Sequence, residues 1–416
     1  MIADEGQAGV TRGGVRAARL LAPLFHRILD RIDRGLDAGE IEGWLPDGTV
    51  RLLGGRAPGP KAVVKLRSWK ALARLVRAGS AGWYLAWEKG EWASPDPVPL
   101  FDLFMRNRAG LGDTGRARGV SRLFKRLRHA LRRNDRKGAR RNIEFHYDLG
   151  NDFYTQWLDG TMSYSSALFA EPISAEEPLE AAQGRKIHAL LDRLELSPGD
   201  RLIEIGCGWG GLAEVAARDY GAEVTGITLS TEQKRFCETR MDAAGLGGRT
   251  RFELVDYRDA RGQYDALASV EMVEAVGREY WGVYLQSLHR LLKPGGRAAI
   301  QYISIADDIF EGYAESVDFI QAYVFPGGML LSESRFRALA EAEGFAWQER
   351  TGFGLHYAET LRRWRVAFDA AAGEGRLPAQ FDAPFVNLWR YYLMYCEGGF
   401  RGGGIDVAQV TLVKTG

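Results

Sequence analysis

Apolar side chains recur at helical spacing over residues 16 to 36 (Leu20, Leu21, Leu24, Phe25, Ile28, Leu29, Ile32, Leu36), which predicts an amphipathic helix near the start of the chain. "WLPDGTVRLLGG" and "KAVVKLRS" then read as short strands around turns, and a helix near Trp69 to Ala78 leads into the aromatic stretch "GWYLAWEKGEW". Together these predict a small mixed α/β domain over residues 1–115. The pattern changes further on. "RLIEI" is a short buried strand, "GLAEVAARDY" has helical spacing, "AEVTGITLS" is a second strand and "YDALASV" a later one. Strand and helix alternate in this way within residues 142–416, which predicts an α/β domain around a sheet. No internal repeat is present.

Between the two lies "RARGVSRLFKRLRHALRRNDRKGARR", residues 116–141, with twelve Lys or Arg and a single acid, Asp135. Val120, Leu123, Phe124, Leu127 and Leu131 place one narrow apolar stripe among the arginines, the pattern of a helix lying on an anionic membrane surface. A solvated linker helix docked on its own protein carries equal weight. A nucleic-acid arm carries less, because no aromatic platform or nucleic-acid motif accompanies it.

Composition narrows the class without fixing it. At 416 residues the chain is long enough for a large domain and a smaller one, and its net charge of +1 gives no global pull toward nucleic acid or membrane. Cys207, Cys237 and Cys396 are scattered without metal-ligand spacing, which argues for a reducing compartment and against a disulfide framework or a metal site. With no apolar run of membrane-spanning length and no signal-peptide pattern, the expectation is a cytoplasmic protein, held peripherally at the inner face of the membrane by residues 116–141.

The chemistry starts at "EIGCGWGG". Gly206, Gly208 and Gly210 let the backbone turn tightly and approach a ligand closely. Read as Gly206, Gly208 and Gly211, the loop also satisfies a dinucleotide pattern, but an NAD site wants an acid at the end of the second strand, where this chain has Gly226, Ile227 and Thr228. The carboxylate instead precedes the loop, as Glu204. That order resembles motif I of class I S-adenosylmethionine (SAM) methyltransferases, and "LLKPGG" before the strand "RAAIQYISI" fits the later half of the same Rossmann-like sheet.

"HYDLGNDFYTQWLDGTMSYSSALF", "GITLSTEQ", "FIQAYVFPGG", "FGLHYAETLRRW" and "WRYYLMYCEGGFR" together resemble the cyclopropane fatty acid synthase family, over a continuous stretch from about His146 to Gln409. The resemblance implies SAM-dependent methyl transfer to the double bond of an unsaturated acyl chain, usually within a phospholipid. It implies SAM-binding roles for Tyr164, Ser165, Glu204, Gly206, Gly208, Gly210, Thr228, Gln233, Asp256 and Tyr257. On the residues alone, Thr228 reads equally as the cap of the following helix. A homodimer is also implied by the resemblance.

An alkene that attacks a sulfonium methyl becomes a carbocation, so the site must exclude water, surround the cation with π faces or negative charge, and supply a base if a ring is to close. Tyr147, Phe153, Tyr154, Trp157, Tyr164, Phe319, Tyr323, Phe325, Phe353 and Tyr357 suit an acyl tunnel as a group. In well-known family members a bicarbonate ion is held as the base. The positions matching its ligands are Ser166, Glu274, Gln301, Ile303 and Tyr357; Ser166 and Gln301 stand where the family has cysteine and histidine, and Ala275 replaces the histidine after the glutamate. Serine and glutamine still donate hydrogen bonds to an anion, but Gln301 cannot titrate. Methyl transfer is therefore better supported than ring closure. Without closure the product is a methyl-branched or methylene-bearing olefin, which a partner reductase would saturate. A class I methyltransferase acting on a soluble small molecule is the competing class. Glu274 is the expected charge beside the cation, and Glu271 has no assigned role. Cys207 and Cys396 read as packed residues, and His146 and His356 as structural histidines as readily as site residues.

Overall fold

The computed structural model describes residues 12–112 and 149–415, which fall into two compact units, one within 1–122 and one within 123–416. The basic segment 116–141, His146 and Tyr147 lie outside the described residues. No described helix is long and apolar enough to cross a membrane.

In the first unit the helix Arg12–Arg34 buries Ala22, Phe25, Leu29 and Ile32 at three- and four-residue spacing, while Leu24, expected on the same stripe, faces solvent. Four strands follow, β1 (Glu40–Trp44), β2 (Val50–Gly54), β3 (Lys61–Leu66) and β4 (Trp92–Ala93), in the order β2-β1-β3-β4. The expected helix near Trp69 continues to Glu88, with a kink at Gly79, and absorbs most of the aromatic stretch. Trp83 and Trp92 stack with ring centres 4.4 Å apart, and the indole N–H of Trp92 donates to the Trp83 carbonyl.

The second unit is built on seven strands: β5 (Arg201–Ile205), β6 (Glu223–Thr228), β7 (Thr250–Leu254), β8 (Tyr264–Val270), β9 (Leu292–Ile305), β10 (Phe345–Gly352) and β11 (Ile405–Lys414). Their order is β10-β11-β9-β8-β5-β6-β7, and β11 runs antiparallel to both of its neighbours while β5 to β9 are parallel. β5 is buried from Leu202 to Ile205 because helices cover both faces of the sheet, which is why it reads as an unbroken apolar run. Two apolar clusters form the core on either side. One centres on Tyr264, Trp281, Tyr284 and Leu288, the other on Leu190, Leu202, Ala216 and Phe252.

Two insertions bring further groups to the carboxyl ends of the strands. Residues 307–331 follow β9 with the short helices Asp307–Ala314 and Phe319–Tyr323, and the long helices Gly354–Gly373 and Ala383–Arg401 separate β10 from β11. Ligands in open α/β sheets sit at such carboxyl ends.

Candidate active site

The turn after β5 is made by glycine. Gly206 and Gly210 have φ of +81° and +83°, and a Cβ on Gly210 would come within 3.2 Å of Cys237 Sγ. The Gly206 and Cys207 amides donate to the Ile227 carbonyl at 3.0 and 3.1 Å, folding the loop back across the end of β6. Cys207 and Cys237 are both buried thiols, packed beneath the loop as the sequence suggested for Cys207.

Several polar groups at this end are buried without a full set of partners. Glu204 is 3% exposed and its Oε2 has no hydrogen-bond partner; burial pushes its carboxyl up to about 8, against the pull of the Lys186 charge. Thr228 Oγ1 donates to Gln233 Oε1 at 2.7 Å, leaving the Gln233 amide nitrogen buried and unpaired. The helix Thr231–Ala243 is capped by Ser230, whose Oγ accepts from the Gln233 amide, so Thr228 is not the cap. An unpaired carboxyl oxygen and an unpaired amide N–H at the ends of β5 and β6 fit a ligand rich in hydroxyl, amino and ring-nitrogen groups, as SAM is.

The other expected cofactor residues have partners of their own. Asp256 holds Arg258 through both carboxylate oxygens, at 2.8 and 2.6 Å. Tyr257 stands edge-on to Tyr284, and burial pushes its phenol up to about 12. The Tyr164 and Tyr392 hydroxyls are 2.9 Å apart, and Ser165 Oγ accepts from Lys186 Nζ at 2.7 Å.

At the carboxyl end of β8 the chain enters a tight turn at Glu271, whose φ of +49° is unusual for a residue with a Cβ. Gln301 grips this residue twice. Its carbonyl accepts from the Glu271 amide at 2.8 Å, and its Nε2 donates to Glu271 Oε1 at 2.8 Å. The Ser166 amide donates to the same oxygen at 2.9 Å, and the Tyr357 hydroxyl donates to Oε2 at 2.7 Å. Three of the five groups expected to hold an anion, Ser166, Gln301 and Tyr357, thus converge on the side-chain carboxylate of Glu271. In Ser166 the donor is the main chain; its hydroxyl turns away to the Ala167 carbonyl.

The remaining two groups pair with each other. The Ile303 amide donates to Glu274 Oε1, while Glu274 Oε2 is buried and unpaired. Burial and the adjacent Glu271 charge push the Glu274 carboxyl up to about 8. Burial raises Glu271 as well, but the donors Ser166, Tyr357 and Gln301 and the charge of Lys186 all work against that rise. Of the two neighbours, Glu271 is the one built to carry the negative charge and Glu274 the one built to carry a proton. The Tyr357 phenol, raised by burial and by Glu271, stays protonated and donates.

The aromatic residues divide into groups. Tyr154, Trp157 and Tyr164 lie together, with Trp364 5.3 Å from Tyr164 and Trp209 4.9 Å from Tyr154. Phe325 packs 6.2 Å from Tyr392, and Tyr357 lies 4.6 Å from Phe400. Phe153 stands edge-on to Tyr154 and Trp157 and extends their group to Phe381, Phe385 and Trp389. Phe319 packs on Tyr391 and Tyr395, Tyr323 is partly at the surface, and Phe353 stands against His356. His356 is structural: Nδ1 accepts from the Phe169 amide at 3.0 Å and Nε2 meets Glu171 at 2.9 Å. Cys396 is a thiol that burial pushes well up.

The sequence left Glu271 unassigned and did not single out Gln409, Lys186 or Gln183, which the fold joins to it. Gln409 Nε2 donates to Gln301 Oε1 at 3.0 Å from inside β11, and a lone glutamine in the apolar run "VAQVTLV" was the available signal. Gln183 and Lys186 lie on the buried stripe of the helix Leu179–Leu191, where polar residues need a reason.

The sheet order, the glycine turn and the incomplete polar groups at its carboxyl edge define a class I, SAM-dependent methyltransferase. The chain belongs to the mycolic acid cyclopropane synthetase family, whose model matches residues 134–410, and it is a SAM-dependent methyltransferase of this lipid-modifying group. It is 36% identical to the tuberculostearic acid methyltransferase of Mycobacterium tuberculosis, across 98% of this chain and 95% of that protein. It is 33% identical to the cyclopropane-fatty-acyl-phospholipid synthase of Escherichia coli, over 87% and 90% of the two chains. Among solved structures, a mycolic acid cyclopropane synthase complexed with SAH and CTAB superposes with a TM-score of 0.62 at 31% identity, covering 66% of this chain and 98% of that one.

Proposed function

We propose that the protein transfers a methyl group to the double bond of an unsaturated acyl chain carried by a phospholipid, and that the Glu271 carboxylate is the base that completes the reaction. The observation that carries this reading is the convergence of the Ser166 amide, the Gln301 amide and the Tyr357 hydroxyl on Glu271. Those donors are engaged by a side chain, so a separate bicarbonate ion does not fit the same place.

Glu204, the glycine loop and the Thr228–Gln233 pair would hold SAM, which would supply an electrophilic methyl group and leave as the neutral thioether. The alkene's π pair forms the new carbon–carbon bond, and the neighbouring carbon becomes cationic. Tyr154, Trp157, Tyr164 and Trp364 offer π faces and exclude water, and the Glu271 charge stabilises the cation from a fixed position. Glu271 then removes a proton from a carbon beside the cation, and the C–H pair becomes a new double bond. Tyr357 and Gln301 hold the carboxylate oriented throughout.

The product we favour is a methyl-bearing olefin rather than a cyclopropane. The filled anion position supports it, as does similarity along nearly the whole chain to a protein named for methylating an acyl chain. A partner reductase would saturate that olefin, and residues 116–141 would hold the enzyme at an anionic membrane surface. The test is mass spectrometry and NMR on defined monounsaturated phospholipids with labelled SAM. The expected product is heavier by one CH2 and keeps olefinic protons. Cyclopropane proton signals would overturn the product reading, and unmodified lipid would overturn the substrate.

A further inference from the structure

Lys186 lies on the helix Leu179–Leu191, on a stripe with Ala182, Gln183, Ile187 and Leu190, and is 2% exposed. A buried ammonium costs several kcal/mol unless charge and hydrogen bonds compensate it, so its place in an apolar stripe has to be explained by what surrounds it. Its Nζ donates to Ser165 Oγ at 2.7 Å. The carboxylates that act on it are Glu271, at the turn after β8, Asp159, in the loop before the "YSSA" segment, and Glu204, at the end of β5. Asp159 and Glu204 each have one buried oxygen with no partner.

The main chain of Lys186 is tied to the same site. Its carbonyl accepts from Gln409 Nε2 at 3.1 Å, Gln409 Nε2 also donates to Gln301 Oε1, and Gln301 Nε2 donates to Glu271. Ser165, which fixes the ammonium, is the residue before Ser166, whose amide donates to Glu271. Lys186 is therefore joined to Glu271 from two sides, through Ser165–Ser166 and through Gln409–Gln301. Its charge is shared with Glu204 at the cofactor end.

We propose that Lys186 is a positioning residue shared by the two halves of the site, whose ammonium keeps Glu271 ionised and able to accept the proton. The proposal rests on Glu271 being the base. The groups facing Glu271 are Glu274 from its own turn, Tyr357 from the helix Gly354–Gly373, the Ser166 amide, Gln301 from β9, and Lys186. Lys186 is the one cation among these groups. It and Glu271 act on each other in opposite senses, each favouring the other's charged form.

Removing the cation leaves Glu274, a like charge when ionised, and burial unopposed by Lys186, so the Glu271 carboxyl rises further. The base must be ionised to work, so the acid limb of the rate against pH moves to higher pH. In Lys186→Met, at saturating SAM and lipid, that limb is expected to move up by about one unit or more, with the rate recovering toward the parent value on the alkaline side. Ser165→Ala, which removes the hydroxyl that fixes Nζ, moves it in the same direction by less, and decides the matter if Lys186→Met does not fold. An acid limb that stays in place while the rate falls equally at every pH would mean a packing role only and would overturn the proposal. Glu271→Gln separates the two readings. If it keeps full activity, the base assignment fails; if it is inactive while the limb of Lys186→Met is unmoved, the Lys186 inference alone fails.

Discussion

At the ends of β5 and β6, Glu204 Oε2 and Gln233 Nε2 are buried without partners, whereas in the turn after β8 both oxygens of Glu271 are taken by donors from three separate segments. A buried polar atom left unpaired costs about 1–3 kcal/mol, so the first region is stable in that form only at a cost that a bound ligand removes. In the second region the Glu271 carboxylate has its donors without a ligand, although Glu274 Oε2 beside it is also buried and unpaired. The Glu271 donors are already oriented around a charge, which is the arrangement that stabilises a developing cation without reorganisation. At the same carboxyl edge of the sheet, the groups after β5 and β6 are shaped to be filled and the turn after β8 is placed to act on what fills them.

The sharpest way to break this comparison is Glu271→Gln, which keeps size and removes the charge. Turnover on unsaturated phospholipid is expected to fall by roughly 10²–10⁴-fold, the usual worth of a positioned general base, with SAM affinity by calorimetry close to the parent. Glu271→Gly refines the point, since a φ of +49° suits glycine and the substitution empties the place where Ser166, Gln301 and Tyr357 point their donors. Added bicarbonate is expected to restore part of the lost activity in this variant and to leave the parent unchanged. Parent activity that depends on bicarbonate would sink the view that the Glu271 carboxylate takes the anion's place.

Smaller effects are expected at the incomplete end. Glu204→Gln replaces one of the carboxyl oxygens with an amide nitrogen that cannot accept, and is expected to weaken SAM about tenfold in a binding titration, with turnover at saturating SAM near the parent value. Unchanged affinity would mean that the unpaired oxygen is not waiting for the cofactor. The smallest effect is expected for Ser166→Ala. The hydroxyl only bonds the Ala167 carbonyl, and its loss costs about 1 kcal/mol in thermal unfolding, while the amide that reaches Glu271 remains and activity stays near the parent.

The α/β class, the glycine turn at Gly206 and Gly210 and the buried strand at Leu202 to Ile205 were legible because each rests on local periodicity or on a backbone conformation that glycine favours. Ser166, Gln301, Ile303, Glu274 and Tyr357 were legible as a set, and the fold brings all five to the turn that holds Glu271 and Glu274. Their common target was not. Leu24 was placed on a buried stripe by spacing alone, although the sheet beside the helix leaves it exposed. Thr228 read as a helix cap because a threonine two residues early satisfies the same pattern; Ser230 takes the cap and leaves Thr228 to orient Gln233.

By itself the sequence determined the order of strands and helices, the place of the glycine loop and the presence of two glutamates at the end of a buried strand. It put the charge at Glu274, on the resemblance, and left Glu271 unassigned, because the two differ little in their neighbours along the chain. Folding ranks them. Glu271 receives donors from residues 166, 301 and 357 and a cation from residue 186, while Glu274 receives one main-chain amide and a like charge beside it. The ionisation of a carboxyl group depends on the charges and donors within a few ångströms in space, and those groups come from segments far apart along the chain.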